Sequence, residues 1–532
     1  GRAASGDDAA ARCSGGEALV TEAWGARRTA VREHLAALGG SYAADAAPAL
    51  LAGLDGYASR WTALHRGACE AHHRGEISAD LLDRRAGCLP RRPAALATIG
   101  ELATTVTADG LADLVEAASG LPALDACDDD AALMAAVAPP PRQAAAEASA
   151  IADLVARVDV EREAGRFDEA RRDAEDAVAR AAALGYRPLV ARTRLARGRV
   201  GMDVDTPDRG AADLAVATRE AIAVGDEPLA IEAYARQAWA VATTGDPTRA
   251  LDGLPLIEAM AERAGERAGF ARALLENNRG SVALAQGDRA AARTRFDAAR
   301  AAASGLVGAE AIELTAALSG LLLVIDEPAA RDAIAAELIE TRTRLLGATH
   351  PRTLIARINA GMTLGDDARL LAELGAACEA MRAHHPSQHA IVAECGLELA
   401  LVAAAHGDVA AAAAWGARVL ETAGAALEPE AAAQARAYGA LATAPADAVR
   451  QFTALADQAA GAGPTWFARL LAGDDALGAA VAAVAAGDTD TARARLSRAR
   501  QHWDEAAEAP PAARERRARL AARVEAALKG SR

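Results

Sequence analysis

The feature that most constrains this chain is a turn that returns in register. The stretch "QGDRAAARTRFDAA" (286–299) opens on a Gly-Asp turn at Gly287 and continues with small or aromatic residues at helical spacing. Comparable turns stand at Gly165 ("AGRFDEA"), Gly245 ("TGDPTRA"), Gly365, Gly407 and Gly487, with weaker ones at 205–211, 326–332 and 444–450. The 322 residues from Gly165 to Gly487 divide into eight steps of about 40, the size of a helical hairpin. Five residues after the glycine a small side chain recurs, as Ala170, Ala250, Ala292, Ala412 and Ala492. Phe296 or Leu496 follows four residues on, and Ala299 or Ala499 three after that, tracing one helical face. Small residues at such positions let two helices approach closely. The chain is therefore expected to be all-α, an array of hairpins that each lean on their neighbours.

Composition narrows the chemistry. Apolar residues make up 52% of the chain and aromatics only 3%, so alanine, the best helix former, carries much of the apolar content. Lys529 is the sole lysine, which excludes phosphate-loop, protein-kinase and Schiff-base chemistry that needs an interior lysine. Nucleophile-elbow, zinc-protease and dinucleotide-binding motifs are absent from the sequence. No catalytic, cofactor or metal site is expected, and a hydrolase with a groove site is the weakest functional alternative. A formal charge of -15 argues against a nucleic-acid partner. Apolar runs such as 476–487 fall short of the roughly 20 residues that span a bilayer, so no membrane insertion by this chain is expected. The opening "GRAASGDDAAARC" has neither an initiator methionine nor a signal-peptide core and reads as part of something longer.

Gly280, seven residues before Gly287, completes a set of offsets that resembles the tetratricopeptide repeat: small residue, Gly-Asp turn, alanine, aromatic. The likeness covers roughly 150–530, with leucine or alanine often replacing the aromatic and the family's tryptophan mostly missing. "LLGATHPRTLIARINAGMTLGD" (345–366) and "HHPSQHAIVAECG" (384–396) resemble the longer kinesin-light-chain type, with a His-Pro link between repeats. The resemblance implies a right-handed α-solenoid of about nine hairpins over 149–508, closed by a capping helix at 509–532. It also implies a concave groove lined by first helices and holding a protein or peptide segment. Offsets from the turn glycines put Trp239, Asn277, Ser281, Arg352 and Asn359 in that groove, and Arg192 and Arg199 join them if Gly198 holds the small-residue position. Ordinary solvated groove residues, and a core role for Trp239, are the bland alternatives.

Before the array, residues 1–12 read as a flexible segment, 13–137 as a helical module and 138–148 as a Pro-rich linker around "VAPPPRQ". Helical runs are expected at 17–38, 46–74, 79–104 and 108–119. The module carries Cys13, Cys69, Cys88 and Cys127, and "RWTALHRGACEAHHRGEIS…LLDRRAGCL" resembles a region of the large myxobacterial serine/threonine kinases. There a similar module follows the kinase domain and a membrane span and precedes tetratricopeptide repeats. The resemblance implies the periplasmic or extracytoplasmic sensory part of a kinase, although no kinase domain stands in this chain. A cytosolic regulatory array of a signal-transducing ATPase or transcription regulator is the alternative.

Outside the cytoplasm an even cysteine count suggests disulfides. The simplest pairing joins Cys13 to Cys127 and Cys69 to Cys88, the second about one helical turn out of register, with Cys378 to Cys395 as a third bridge. Buried free thiols are the cytosolic alternative, and zinc is disfavoured because no short paired ligand spacing occurs. His385 and His389 have helical ligand spacing, but Pro386 between them favours a helix start, and His350 precedes proline in the equivalent link. The acidic run 125–133 lacks a calcium-loop pattern, so Asp128 to Asp130 read as helix caps. Leu520, Val524 and Leu528 form one stripe among arginines, expected as a polar-faced helix closing the end of the array in preference to a membrane or nucleic-acid contact.

Overall fold

The Gly-Asp pairs at Gly287, Gly407 and Gly487 each place a helix stop beside a helix start. In the computed structural model, residues 13–530 are described except 90, 136, 205, 206, 246, 424, 425 and 464. Gly287 adopts φ +80°, a left-handed conformation that favours glycine, and ends one helix. The carboxylate of Asp288 then accepts the Ala291 N–H at 2.9 Å and caps the next. Asp408 and Asp488 do the same for Ala411 and Thr491 at 2.9 and 3.0 Å. Among the described residues there is no β-strand.

The chain packs as two compact units, the first ending at Val324 and the second beginning at Ile325. The first opens with α1 (Gly15–Val20, continued by a π-helical turn Thr21–Gly25), α2 (Arg28–Ala37), α3 (Ser41–His73), α4 (Ala79–Cys88), α5 (Arg91–Ala103), α6 (Leu111–Ser119) and α7 (Asp130–Ala135). The helical run expected over 79–104 is broken between α4 and α5. Paired helices follow: α8 (Ala145–Glu163) with α9 (Phe167–Leu184), α10 (Arg187–Val204) with α11 (Pro207–Val224), and α12 (Glu227–Thr244) with α13 (Leu254–Ala264). Next come α14 (Gly269–Ala285) with α15 (Arg289–Ala302), and α16 (Gly308–Val324). Residues 247–253 make turns where a second helix was expected after Gly245, so α13 is short.

From α8 to α13, from α14 to α16 and from α17 to α26 each helix packs on the next, and α8, α10, α12, α14 and α16 also touch one another in sequence. The first helices therefore form the tighter, inner side. Phe296 shows why glycines belong there: a Cβ at Gly280 of α14 or at Gly320 of α16 would stand 2.6 Å from its ring. Both glycines admit one aromatic wedge from α15. The small residues Ala170, Ala292, Ala412 and Ala492 are fully buried.

The module is not set apart from the array. Trp24, Leu54, Leu96, Ile99 and Leu114 share one core with Val160 of α8. In the stretch 138–148, read as a Pro-rich linker, the Tyr186 hydroxyl donates to the Ala138 carbonyl, and Ala145 already begins α8. Most residues of this stretch are exposed, and the division into compact units falls after Val324. Residues 1–12 lie outside the described residues.

The disulfides correct two of the three expected pairs. Cys13 is joined to Cys69 and Cys88 to Cys127, with Cα separations of 5.6 Å each. The reason is helical register. Cys69 stands five residues before the α3–α4 turn that starts at Arg74, whereas Cys88 stands ten after Ser78, an offset of about 7 Å along the hairpin. Cys88 instead meets the short 3₁₀ turn Asp125–Cys127. The bridge of Cys378 to Cys395 is present, at 6.0 Å.

The second unit contains α17 (Pro328–Leu346), α18 (Pro351–Thr363), α19 (Asp367–His384), α20 (His389–Ala405) and α21 (Val409–Ala423). It continues with α22 (Pro429–Leu441), α23 (Pro445–Gly461), α24 (Trp466–Ala485), α25 (Thr489–Glu505) and α26 (Pro511–Gly530). His350 and His385 sit buried at its links: His350 Nδ1 accepts the Arg352 N–H at 3.2 Å, and His385 Nε2 lies 2.8 Å from the Thr349 carbonyl. The final helix departs from the expected polar-faced end cap. Besides α25 it packs against α18, α20 and α24, and it buries Arg516 and Arg517 along with Leu520, Val524 and Leu528. Arg517 bonds Asp474 at 2.6 and 3.0 Å and Glu398 at 3.3 Å, while Arg516 pairs with Glu398 at 2.7 Å.

Candidate ligand-binding cavity

On α8, Ala152, Val155, Ala156, Asp159, Val160 and Glu163 recur at the three-and-four spacing of one helical face. That face borders a cavity of 350 Å³ inside the first unit, with Arg192 and Arg199 of α10, Glu232 and Arg236 of α12, Phe270 of α14, and Glu310 and Glu313 of α16. The module supplies the rest of the wall through Arg92, Ala95 and residues Gly120 to Ala123. Helix α6 closes the ring, since it packs on both α8 and α16. A Cβ at Gly120 would stand 2.4 Å from the Glu163 carboxylate, and one at Gly308 3.3 Å from the Ser119 carbonyl. An adjoining cavity of 380 Å³ shares Asp159, Arg192, Arg199, Glu232, Phe270 and Glu310.

Most charges on this wall are used against each other. Arg236 pairs with Glu313 at 2.6 and 2.9 Å and with Glu232 at 2.9 Å. Arg199 pairs with Asp159 at 2.9 Å and Glu163 at 3.5 Å, and Arg162 with Glu163 at 3.1 Å and Asp203 at 2.9 Å. Burial pushes the Glu313 carboxyl up, but the two-pronged Arg236 outweighs it and holds the group down at about 2. For Glu163 burial wins over Arg162 and Arg199, and the carboxyl rises to about 7. Glu310 also rises to about 7, through burial and then the charges of Glu232 and Glu313.

Arg92 is different. It is 8% exposed and donates to the carbonyls of Cys88 at 2.6 Å and Ala123 at 3.1 Å, and its Nε has no partner among the described residues. Burial depresses its pKa, Tyr57 opposes this, and the charge of Arg192 adds a smaller depression. Both arginines also border a third cavity, of 570 Å³, beside Arg84, Pro139 and Tyr186.

Of the groove residues inferred from the sequence, Arg192 and Arg199 come together on this wall. Trp239 of α12 is half-buried and borders none of the three cavities. Asn277 is buried in α14, where its amide donates to Asn278 at 3.0 Å, and Ser281 donates to the Asn277 carbonyl at 3.3 Å. Arg352 and Asn359 belong to α18 of the second unit and are exposed. Sequence reasoning missed Arg92, Asp159, Glu163, Glu232, Arg236, Glu310 and Glu313. Their signal was charge at helical spacing on faces otherwise made of alanine and valine, as in Asp159 with Glu163 and Glu232 with Arg236.

Among the described residues, Cys13, Cys69 and His73 are the one donor group close enough to hold a metal, and its two sulfurs are joined in a disulfide. No described helix is long and apolar enough to cross a membrane. No protein-family model matches the chain, and no curated protein does.

Proposed function

We propose that this chain is a non-catalytic binding scaffold of the tetratricopeptide type, and that its recognition surface is the inner wall of the first unit. One observation carries the reading: five consecutive first helices and the module converge on a single charged cavity. Repeat arrays gain affinity by gathering contacts from several repeats at once. The proposed parent is a membrane-anchored bacterial serine/threonine kinase, with this region as its extracytoplasmic sensory part. Three disulfides, which persist in oxidising compartments, support that placement over a cytosolic regulatory array. Val307 lines the cavity and is 55% exposed, so Val307→Trp fills the space without disturbing the core. Affinity capture is expected to recover a partner with the native chain and not with Val307→Trp. Equal recovery by both would reject the surface.

A hydrolytic reading has one observation in its favour, since Glu163 and Glu310 both sit near neutrality in one cavity, as proton-transferring carboxyls do. Turnover of a peptide or ester library that disappears in Glu310→Gln would select it.

A further inference from the structure

Four arginines line the 350 Å³ cavity, and they divide into two kinds. Arg199 and Arg236 are held by carboxylates at 2.9 and 2.6 Å. Arg92 has no carboxylate partner among the described residues, although it is more than nine-tenths buried and leaves its Nε unbonded. Arg192 comes no nearer to a carboxylate than 3.8 Å, from Asp226. The two guanidiniums thus line one wall and repel one another, Arg92 with no ion pair among the described residues and Arg192 with only the long one to Asp226. Burying a cation without an anion is costly, and a hydrogen-bonding anion placed there removes both the cost and the repulsion.

The complementary feature is Glu310. It makes no ion pair among the described residues and stands near Glu232 and Glu313, both already engaged by Arg236. Added negative charge there is unfavourable, and a cation or ammonium group relieves it. Five carboxylates line the cavity against four guanidiniums, which disfavours a polyanion such as a nucleotide and suits a ligand of no net charge. The volume lies at the small end of the range for ligand sites, and Leu121, Val155, Phe270 and Val307 give it an apolar side.

We infer that this cavity binds a small zwitterion, a free amino acid or dipeptide, whose carboxylate lies between Arg92 and Arg192 and whose ammonium lies at Glu310. The inference rests on the reading of the cavity as the recognition site and names the ligand that would occupy it. A sensory region that recognises such a molecule converts the concentration of free amino acids or peptide fragments into a change in the first unit, through the helices the ligand ties together.

The test uses the full chain with its disulfides intact, titrated by calorimetry with a panel of free amino acids and dipeptides. The tightest of these is then compared with its N-acetyl and C-amide forms and with inorganic phosphate. The parent zwitterion is expected to bind at least about tenfold more tightly than either blocked form. Arg192→Gln, at a half-exposed site that does not endanger folding, is expected to abolish the preference over the amide and keep the preference over the acetyl form. Glu310→Gln is expected to do the reverse. Phosphate or the N-acetyl form binding as well as the zwitterion would overturn the inference in favour of a simple anion site. No saturable binding by any panel member up to about 10 mM, a limit below which even millimolar ligands register, would also overturn it. If partner capture still depends on Val307 in either event, the cavity remains the recognition surface and only the ligand class is wrong. If capture is indifferent to Val307 as well, both readings fail.

Discussion

Asp475 offers a sharp test of how the second unit is held together. It is 4% exposed within α24, and among the described residues its one hydrogen-bonding neighbour is the Gln434 side-chain amide at 2.9 Å. Burial raises its carboxyl to about 8. The Gln434 bond pulls the other way, and the charges of Asp474 and Glu430 push up again. In the unfolded chain the same group titrates near 3.8. Because the folded pKa is the higher, this group's contribution to stability is full below about pH 4. It is lost progressively as pH rises to about 8 and is level beyond. At about 1.4 kcal/mol per pH unit, the ceiling on the loss by pH 7 is about 4 kcal/mol, and water entering near α24 reduces it. Asp475→Asn keeps an oxygen for Gln434 and cannot ionise. Urea unfolding followed by circular dichroism at pH 4, 6 and 8 is expected to show no gain at pH 4 and a gain of about 2–4 kcal/mol at pH 8. A gain that is the same at all three values, or a loss at pH 8, would refute the reasoning.

Other consequences follow from packing and cross-links. Non-reducing peptide mapping is expected to find Cys13 with Cys69, Cys88 with Cys127 and Cys378 with Cys395, and no Cys13–Cys127 peptide. Removing the pair at 378 and 395, which encloses 17 residues, is expected to lower unfolding stability by up to about 3 kcal/mol from loop-closure entropy, measured in urea. Gly280→Val drives a methyl into the Phe296 ring and is expected to cost about 1–3 kcal/mol, largely recovered when Phe296→Leu is added; no recovery would deny the wedge. Arg517→Ala leaves Asp474 and Glu398 buried with fewer partners and is expected to cost about 3–5 kcal/mol, whereas Arg450→Ala, whose Asp447 pair is exposed, is expected to cost less than about 1.

The sequence made the hairpins legible because the Gly-Asp pair is a local device: glycine takes the left-handed turn and aspartate caps the helix that follows, whatever lies elsewhere. The buried alanines at 170, 292, 412 and 492 were legible for the same reason, since spacing alone puts them on the contact face. What failed was whatever depended on comparing distant segments. The Cys69–Cys88 pairing required the exact extent of two helices on either side of a turn, and a difference of five residues moved the sulfurs apart. The stripe at Leu520, Val524 and Leu528 was seen, but the arginines beside it were read as solvent-facing. Their partners Glu398 and Asp474 stand 119 and 43 residues away from Arg517 in sequence. The cavity residues were missed because a charge on an inner helix face looks like a charge on an outer one until the ring closes. That closure depends on α6 meeting α16, a contact between residues nearly 200 positions apart that no local pattern encodes.

The central claim, that the inner wall of the first unit is the recognition surface, is tested most directly by placing a photoreactive amino acid at Phe270, on the cavity wall, or at Leu256, which is 57% exposed on α13 and away from it. Illumination in the presence of extract from the compartment where the disulfides form is expected to yield a covalent adduct from position 270 and none from 256. Adducts of equal yield from both positions, or from 256 alone, would contradict the account.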